Sequence, residues 1–335
     1  MKIHSVAPMR ADLAGGTLDI YPLYLFLGGG VTVNMAISVT SEATVETRKD
    51  KKIQIISEDL GEELTARNIE SLQVGKKLDL LCRIVRFYAP SSGVTIRTKN
   101  NVPKGSGLGA SSSLLIALSH ALNKLSDKPF NSEEIINYGA NIEAQSIRVP
   151  TGKQDYYSAT YGGISAIWFD ITGARRELLV GSNAIMNELE NRTVISFAGE
   201  PRFSGASNWH MFRDCVDGEE QTVRNFEQIK STAVALRKSL MKGNLDVFGK
   251  LLDEEWQNRK GLTQGVTNDD IDSLMNTAHQ AGAISSKICG AGGGGCMISF
   301  CQPGTKENVE KALTAGGADV FDWKISRNGV QVTIE

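Results

Sequence analysis

The run Pro103-Lys-Gly-Ser-Gly-Leu-Gly-Ala-Ser-Ser-Ser113 concentrates residues able to do chemistry. Gly105, Gly107 and Gly109 lead into Ala110 and three serines. An apolar series at helical spacing follows, through Leu115, Leu118, Leu122 and Leu125. A glycine loop entering a helix offers unpaired backbone N–H groups and the positive end of a helix dipole, and both attract phosphate. The serine hydroxyls can bind phosphate oxygens or a Mg²⁺ ion. The plainer reading is a flexible loop with a serine cap.

Two further glycine-rich segments stand far from the first. One is Ala7-Pro-Met-Arg-Ala-Asp-Leu-Ala-Gly-Gly-Thr-Leu-Asp19; the other is Cys289-Gly-Ala-Gly-Gly-Gly-Gly-Cys296, between two strand-like runs. Gly290 and Gly292–Gly295 leave almost no side chain, so backbone can approach a ligand closely. A tight hairpin is the alternative, although it requires fewer glycines. The spacing excludes a P-loop, because no Gly-Lys-[Ser/Thr] follows four spacers. Gly105-x-Gly107-x-Gly109 also misses the dinucleotide fingerprint.

The elements that must position these loops are mixed. Val-, Ile- and Thr-rich runs at 3–7, 31–40, 43–48, 52–57 and 94–99 read as strands. Helical patterns cover 78–89 and 132–147, the latter capped by Ser132 with Glu133 and Glu134 in its first turn. Residues 150–163 read as a loop or short helix before a strand at 164–169. After a strand at 192–198 come amphipathic patterns near 218–242, 244–259 and 268–281. Strands at 284–289 and 296–301, a helix near 305–315 and strands near 319–325 and 330–334 complete the chain. This order argues α+β rather than a doubly wound sheet. The least structured stretch, about 171–190, suggests domains at 1–180 and 181–335.

Composition sets the outer limits. The chain has 335 residues, 41% of them apolar and 22% charged, enough for a sizeable core and two domains. A net charge of −2 predicts no nucleic-acid or membrane partner, so phosphate chemistry needs local positive groups. The five cysteines include no Cys-x-x-Cys pair and read as reduced residues of a cytoplasmic protein. The four histidines show no zinc spacing. No secretory leader or membrane span is expected. Trp209, Trp256 and Trp323 read as packing residues.

Taken together, the three glycine motifs resemble those of the galactokinase, homoserine kinase, mevalonate kinase and phosphomevalonate kinase (GHMP) superfamily. The middle motif resembles Pro-x-Gly-x-Gly-Leu-[Gly/Ser]-Ser-Ser, with Ala110 replacing one serine. Arg10-Ala-Asp-Leu-Ala-Gly-Gly16, Gly152-Lys-Gln-Asp-Tyr156 and Phe248-Gly-Lys-Leu-Leu-Asp-Glu-Glu-Trp256 resemble the subgroup of heptose 7-phosphate kinases and bacterial fucokinase domains. The subgroup commonly has Gly-Gly-Gly-Thr-Asp where this chain has Gly15-Gly16-Thr17-Leu18-Asp19.

The resemblance implies an N-terminal domain of ribosomal-protein-S5 type and a ferredoxin-like C-terminal domain. ATP and Mg²⁺ are the implied co-substrate and cofactor. Pro103, Lys104, Gly105, Ser106, Gly107, Leu108, Gly109, Ala110, Ser111 and Ser112 are implied to hold ATP, with Gly292 and Gly293. Asp155 is the implied catalytic base and Arg10 its cationic partner. Glu143 is implied to bind Mg²⁺ with Ser111, Ser112 being the neighbouring choice. Asp19, Gly16, Lys153 and Gln154 are implied at the sugar, and Ser204-Gly-Ala-Ser207 resembles a segment bordering its pocket. A phosphorylated substrate needs a cationic subsite, for which Arg148, Lys153 and Arg202 are candidates.

The implied activity is transfer of the ATP γ-phosphate to a sugar hydroxyl, the anomeric one, of a heptose 7-phosphate. A free sugar such as L-fucose or galactose is the alternative acceptor. A silent sugar or nucleotide sensor keeps the loops without turnover, and a mevalonate-type kinase is disfavoured by Lys153-Gln-Asp155. Either a monomer or a homodimer is compatible with the sequence.

Overall fold

Alternating apolar and polar residues draw much of the first third of the chain into strands, because side chains along a strand point to opposite faces with a period of two. A computed structural model describes residues 1–199, 204–290 and 292–335. Arg202 falls outside the described residues, as do the side chains of Ser204 and Ser207.

The N-terminal elements are β1 (Lys2–Ala14), α1 (Leu23–Phe26), β2 (Gly30–Thr47), β3 (Ile53–Ser57), β4 (Glu62–Ala66), α2 (Asp79–Tyr88) and β5 (Val94–Asn100). Next come α3 (Ala110–Asn123), α4 (Ser132–Ile147), α5 (Gln154–Tyr161), β6 (Ile164–Asp170) and β7 (Gly173–Leu178). The remainder is α6 (Asn183–Arg192), β8 (Thr193–Phe197), α7 (Ser204–Val216), α8 (Glu220–Met241), α9 (Leu245–Lys260) and α10 (Asp269–Gln280). It ends with β9 (Ala283–Ile288), β10 (Cys296–Cys301), α11 (Lys306–Ala315), β11 (Asp319–Val320) and β12 (Gln331–Ile334).

The α+β expectation holds, in two layers of sheet with helices. The larger sheet runs β12-β1-β2-β5-β3-β4, and β6 and β7 extend it from the other half of β2. At 18 residues β2 is long enough to pair β5 through 41–47 and β6 through 30–35. The smaller sheet, β11-β8-β10-β9, is antiparallel throughout. β12 pairs antiparallel with β1, so the end of the chain returns to the first sheet across any cut at residue 180.

Three apolar clusters hold the layers. The first packs Leu115, Leu118 and Leu122 of α3 and Ile136 of α4 against Val45, Ile55 and Ile96 of the large sheet. The second joins the halves: Met9, Leu13, Val33 and Met35 meet Leu236 and Leu240 of α8, Phe248 and Leu252 of α9, and Ile298 of β10. The third gathers Phe226, Trp256 and Met297 of the C-terminal half with Leu18, Ile20 and Leu23 from the turn after β1 and the start of α1. Trp256 and Trp323 are buried, as the packing reading required, whereas Trp209 is half exposed and stacks on Phe212.

One cap differs from expectation. Asn131, not Ser132, caps α4: its side chain accepts from the Glu134 N–H while Glu134 accepts from the Asn131 N–H. Asparagine followed three residues later by glutamate closes a reciprocal capping box, and Ser132 becomes the first helical residue. The stretch near 171–190 is also more ordered than its composition suggested, holding β7 and the start of α6.

Candidate active site

Residues from both halves line a cavity of about 340 Å³. Arg10 reaches it from β1. The turn between β1 and α1 contributes Gly16, Thr17 and Asp19. Gly105, Ser106, Gly107 and Gly109 come from the middle loop, followed by Ala110, Ser111 and Ser112 at the start of α3. Glu143, Gln154, Asp155, Gly292 and Gly294 complete the wall with neighbouring residues. Pro103, Lys104, Leu108, Gly293 and Lys153 do not line it. Leu108 sits in the core that joins the halves, and the Gly293 N–H donates to the Val266 carbonyl.

The loop that carries Gly105–Gly109 reaches α3 with Gly109 as the N-cap residue, at φ 75°. No side chain caps this helix end, so its first N–H groups have no serine over them, and Ala110, Ser111 and Ser112 line the cavity. The loop is fixed from the other half of the chain. The Cys296 N–H donates to the Ser106 carbonyl at 2.7 Å, and a Cβ on Gly107 would lie 2.5 Å from the Cys289 carbonyl oxygen. The two glycine loops therefore meet backbone to backbone, and side chains at this contact would hold them apart.

Asp155 and Arg10 form the central pair. Arg10 Nε donates to Asp155 Oδ1 at 2.7 Å, and Nη1 donates to the Gly107 carbonyl at 2.5 Å. Burial works against the Arg10 charge, but the Asp155 and Asp12 carboxylates outweigh it and raise its pKa. Arg10 is therefore a fixed cation, placed between a carboxylate and the middle loop.

Asp19 faces the same cavity from the first turn. Its Oδ2 accepts the Gln154 N–H at 2.9 Å, and burial pushes its carboxyl up to about 6. Gly152 lets it pass: a Cβ there would lie 2.0 Å from Asp19 Oδ2.

Glu143 on α4 is buried, and desolvation raises its pKa. Its Oε2 accepts Ser112 Oγ at 2.8 Å and the Tyr156 hydroxyl; Ser111 also donates to this carboxylate. Buried carboxylate and hydroxyl oxygens are the donors Mg²⁺ favours, and it needs few of them from protein. Lys153 points elsewhere: its Nζ donates to Asn137 Oδ1 at 2.7 Å. Arg148 ends α4 as its C-cap and does not line the cavity.

Beneath the first turn lies a group that motif reading missed. Lys287 on β9 pairs with Asp12 Oδ2 at 3.2 Å and with Glu255 Oε2 at 2.9 Å; Glu255 Oε1 accepts Arg259 Nη2 at 2.7 Å. All four side chains are fully buried. Arg259 also donates to the Gly16 carbonyl at 2.9 Å and reaches Thr17 Oγ1 at 3.5 Å. Two anions and two cations thus neutralise one another while holding the Gly16–Thr17 turn. A usable signal was present: Glu255 and Arg259 fall on the same apolar face of α9 as Phe248 and Leu252.

Comparison with known proteins agrees with this architecture. The model of the GHMP kinases N terminal domain matches residues 75–163, and that of the GHMP kinases C terminal matches 236–319. The chain is 30% identical over 98% of both sequences to the D-glycero-alpha-D-manno-heptose 7-phosphate kinase of Campylobacter jejuni. A solved D-glycero-D-manno-heptose 1-phosphate kinase from Bacteroides thetaiotaomicron superposes with a TM-score of 0.81 at 25% identity, covering 99% of each chain. The chain is also 26% identical to the bifunctional fucokinase/GDP-fucose pyrophosphorylase of Arabidopsis thaliana, over 95% of its own length and 32% of that protein. Among the described residues no helix is long and apolar enough to cross a membrane. With both family domains in order and a relative matched along its whole length, the chain belongs to the GHMP kinases and is a phosphotransferase acting on a sugar hydroxyl.

Proposed function

We propose that the chain phosphorylates the anomeric hydroxyl of a heptose 7-phosphate, using ATP with Mg²⁺. The observation that carries the reading is the convergence of Asp155, Arg10 and Asp19 on the cavity that the middle glycine loop borders. The heptose assignment rests on the 30% identity to the Campylobacter jejuni enzyme.

In this reading ATP lies along the loop of Gly105–Gly109, its phosphate oxygens taking the N–H groups at the start of α3. Asp19 accepts hydrogen bonds from sugar hydroxyls. Asp155 takes the proton of the attacking hydroxyl as its oxygen bonds to the γ-phosphorus. The bond from that phosphorus to the bridging oxygen breaks, and ADP leaves with the electron pair. Phosphoryl transfer depends mostly on positioning and charge, so the base need not be strong. Arg10 holds Asp155 in place and offsets charge near the transferred group. Glu143 with Ser111 and Ser112 would hold Mg²⁺, which supplies charge neutralisation at the phosphates.

A free sugar such as L-fucose or galactose is the second reading. It is favoured by one observation: neither Arg148 nor Lys153 lines the cavity, and Lys153 is engaged by Asn137. ADP release measured over heptose phosphates, free heptoses, L-fucose and galactose separates the two. Asp155→Asn is expected to lower kcat at least about 100-fold with little change in ATP affinity. A near-normal rate removes Asp155 as the base, and ATP binding without turnover on any acceptor indicates a sensor.

A further inference from the structure

Among the described residues, four other than glycine have a positive φ: Thr17, Leu78, Ala89 and Arg148. Thr17 alone of these is β-branched and lines the cavity. At φ 75° its Cβ crowds its own backbone, and a branched Cβ is the least tolerated there. Glycine would take this conformation without strain. The turn is nonetheless kept in place, since Arg259 holds the Gly16 carbonyl and reaches Thr17 Oγ1 from below. Arg259 is itself anchored by the buried Glu255–Lys287–Asp12 chain. A strained residue that its surroundings over-determine, at a cavity wall two positions from Asp19, points to a role in the cavity and not in the fold.

We propose that Thr17 is a specificity-determining residue of the acceptor pocket. Its hydroxyl is turned to Arg259, and its branched side chain adds bulk at the cavity wall that glycine would lack. That bulk narrows the pocket against acceptors bearing an extra substituent on the carbon that faces this turn. The proposal rests on the sugar kinase reading of the same cavity, and it adds which wall selects the acceptor. One additional carbon in a pocket of fixed shape changes relative kcat/KM by about 10- to 200-fold.

The test compares wild type, Thr17→Gly and Thr17→Ala. Steady-state kinetics are measured on heptoses, hexoses and 6-deoxyhexoses, with and without a terminal phosphate. Thr17→Gly is expected to compress the kcat/KM ratio between the best acceptor and a bulkier one at least about tenfold, with KM for ATP unchanged. Thermal unfolding supplies the second readout. Thr17→Ala keeps the left-handed strain and loses the Arg259 contact, so its Tm falls below wild type. Thr17→Gly is free of the strain, so its Tm lies above that of Thr17→Ala. A ratio within twofold of wild type in an active Thr17→Gly enzyme overturns the proposal. So does a Tm for Thr17→Gly at or below that of Thr17→Ala, because the strain then selects nothing. A wild type that turns over no acceptor overturns the kinase reading itself and takes this proposal with it.

Discussion

Asp19 is held as a costly anion in the sugar-free protein, and Asp19→Asn should release that cost. Burial pushes the carboxyl from 3.8 up to about 6, although the Gln154 N–H pulls the other way. At about 1.36 kcal/mol per tenfold change in proton affinity, the folded state is disfavoured by about 3 kcal/mol at neutral pH. Asparagine has no charge to desolvate, and its carbonyl oxygen can still accept from Gln154. Its amide hydrogens lack an obvious partner in this position, which costs about 1 kcal/mol. The expected net gain is therefore about 2 kcal/mol at pH 7. The sign follows from linkage. A carboxyl whose folded pKa is raised lends stability below its unfolded value, and that stability is lost as pH rises through the folded value. Asp19→Asn should thus be about 1 kcal/mol less stable than wild type below about pH 4, overtake it between about 4 and 6, and hold a level advantage above. Urea unfolding of both proteins without sugar, from pH 4 to 8, measures this directly. A variant less stable than wild type at pH 7, or a difference independent of pH, refutes the reasoning. Acceptor binding should be lost in the same variant, so stability and function would move in opposite directions.

Other perturbations probe different parts of the same assembly. Lys287→Met removes the cation that pairs directly with both Asp12 and Glu255 and should cost about 3–5 kcal/mol in guanidinium unfolding. A cost under about 1 kcal/mol would show that the buried ions are not coupled. Asn131→Ala opens the capping box of α4 and should cost about 1 kcal/mol, measured in the same way. Gly107→Ala introduces a Cβ 2.5 Å from the Cys289 carbonyl oxygen and should raise KM for ATP while lowering Tm. An unchanged KM for ATP would move the nucleotide phosphates off this loop.

Much of the fold was written in local patterns. The strands of the first hundred residues carry period-two alternation, and α8, α9 and α10 carry helical periodicity long enough to read. β4 was not legible, because Glu62–Ala66 is short and mostly polar, exposed at every second position. α7 was hidden by Ser204-Gly-Ala-Ser-Asn208 at its start, residues that favour turns over helix. For α4, Glu134 three residues after Asn131 was a readable signal, outweighed by Ser132 standing nearer the apolar pattern.

The site was legible where its parts are contiguous and hidden where they are not. Arg10 and Asp155 belong to segments with a recognisable motif and Glu143 to the helix expected over 132–147, and the structure gathers them at one cavity. The buried ions draw on β1, α9 and β9; the spacing along α9 marks Glu255 and Arg259 as core-facing, but no local spacing joins them to Asp12 and Lys287, which they meet only through tertiary packing. The strain at Thr17 was invisible for another reason: a threonine near two glycines reads as an ordinary turn residue until its φ is known.

The meeting of the two glycine loops bears on how such enzymes diversify. The Ser106–Cys296 hydrogen bond and the Gly107–Cys289 approach match two segments with most of the chain between them. A recombination event that exchanges the C-terminal half between relatives would pair a loop from one lineage with a counterpart shaped in another. Functional chimeras are therefore expected only where both loops travel together or happen to match in shape. The turn bearing Asp19 lies outside this seam, yet Arg259 of the C-terminal half holds the Gly16 carbonyl, so a chimera must match there as well.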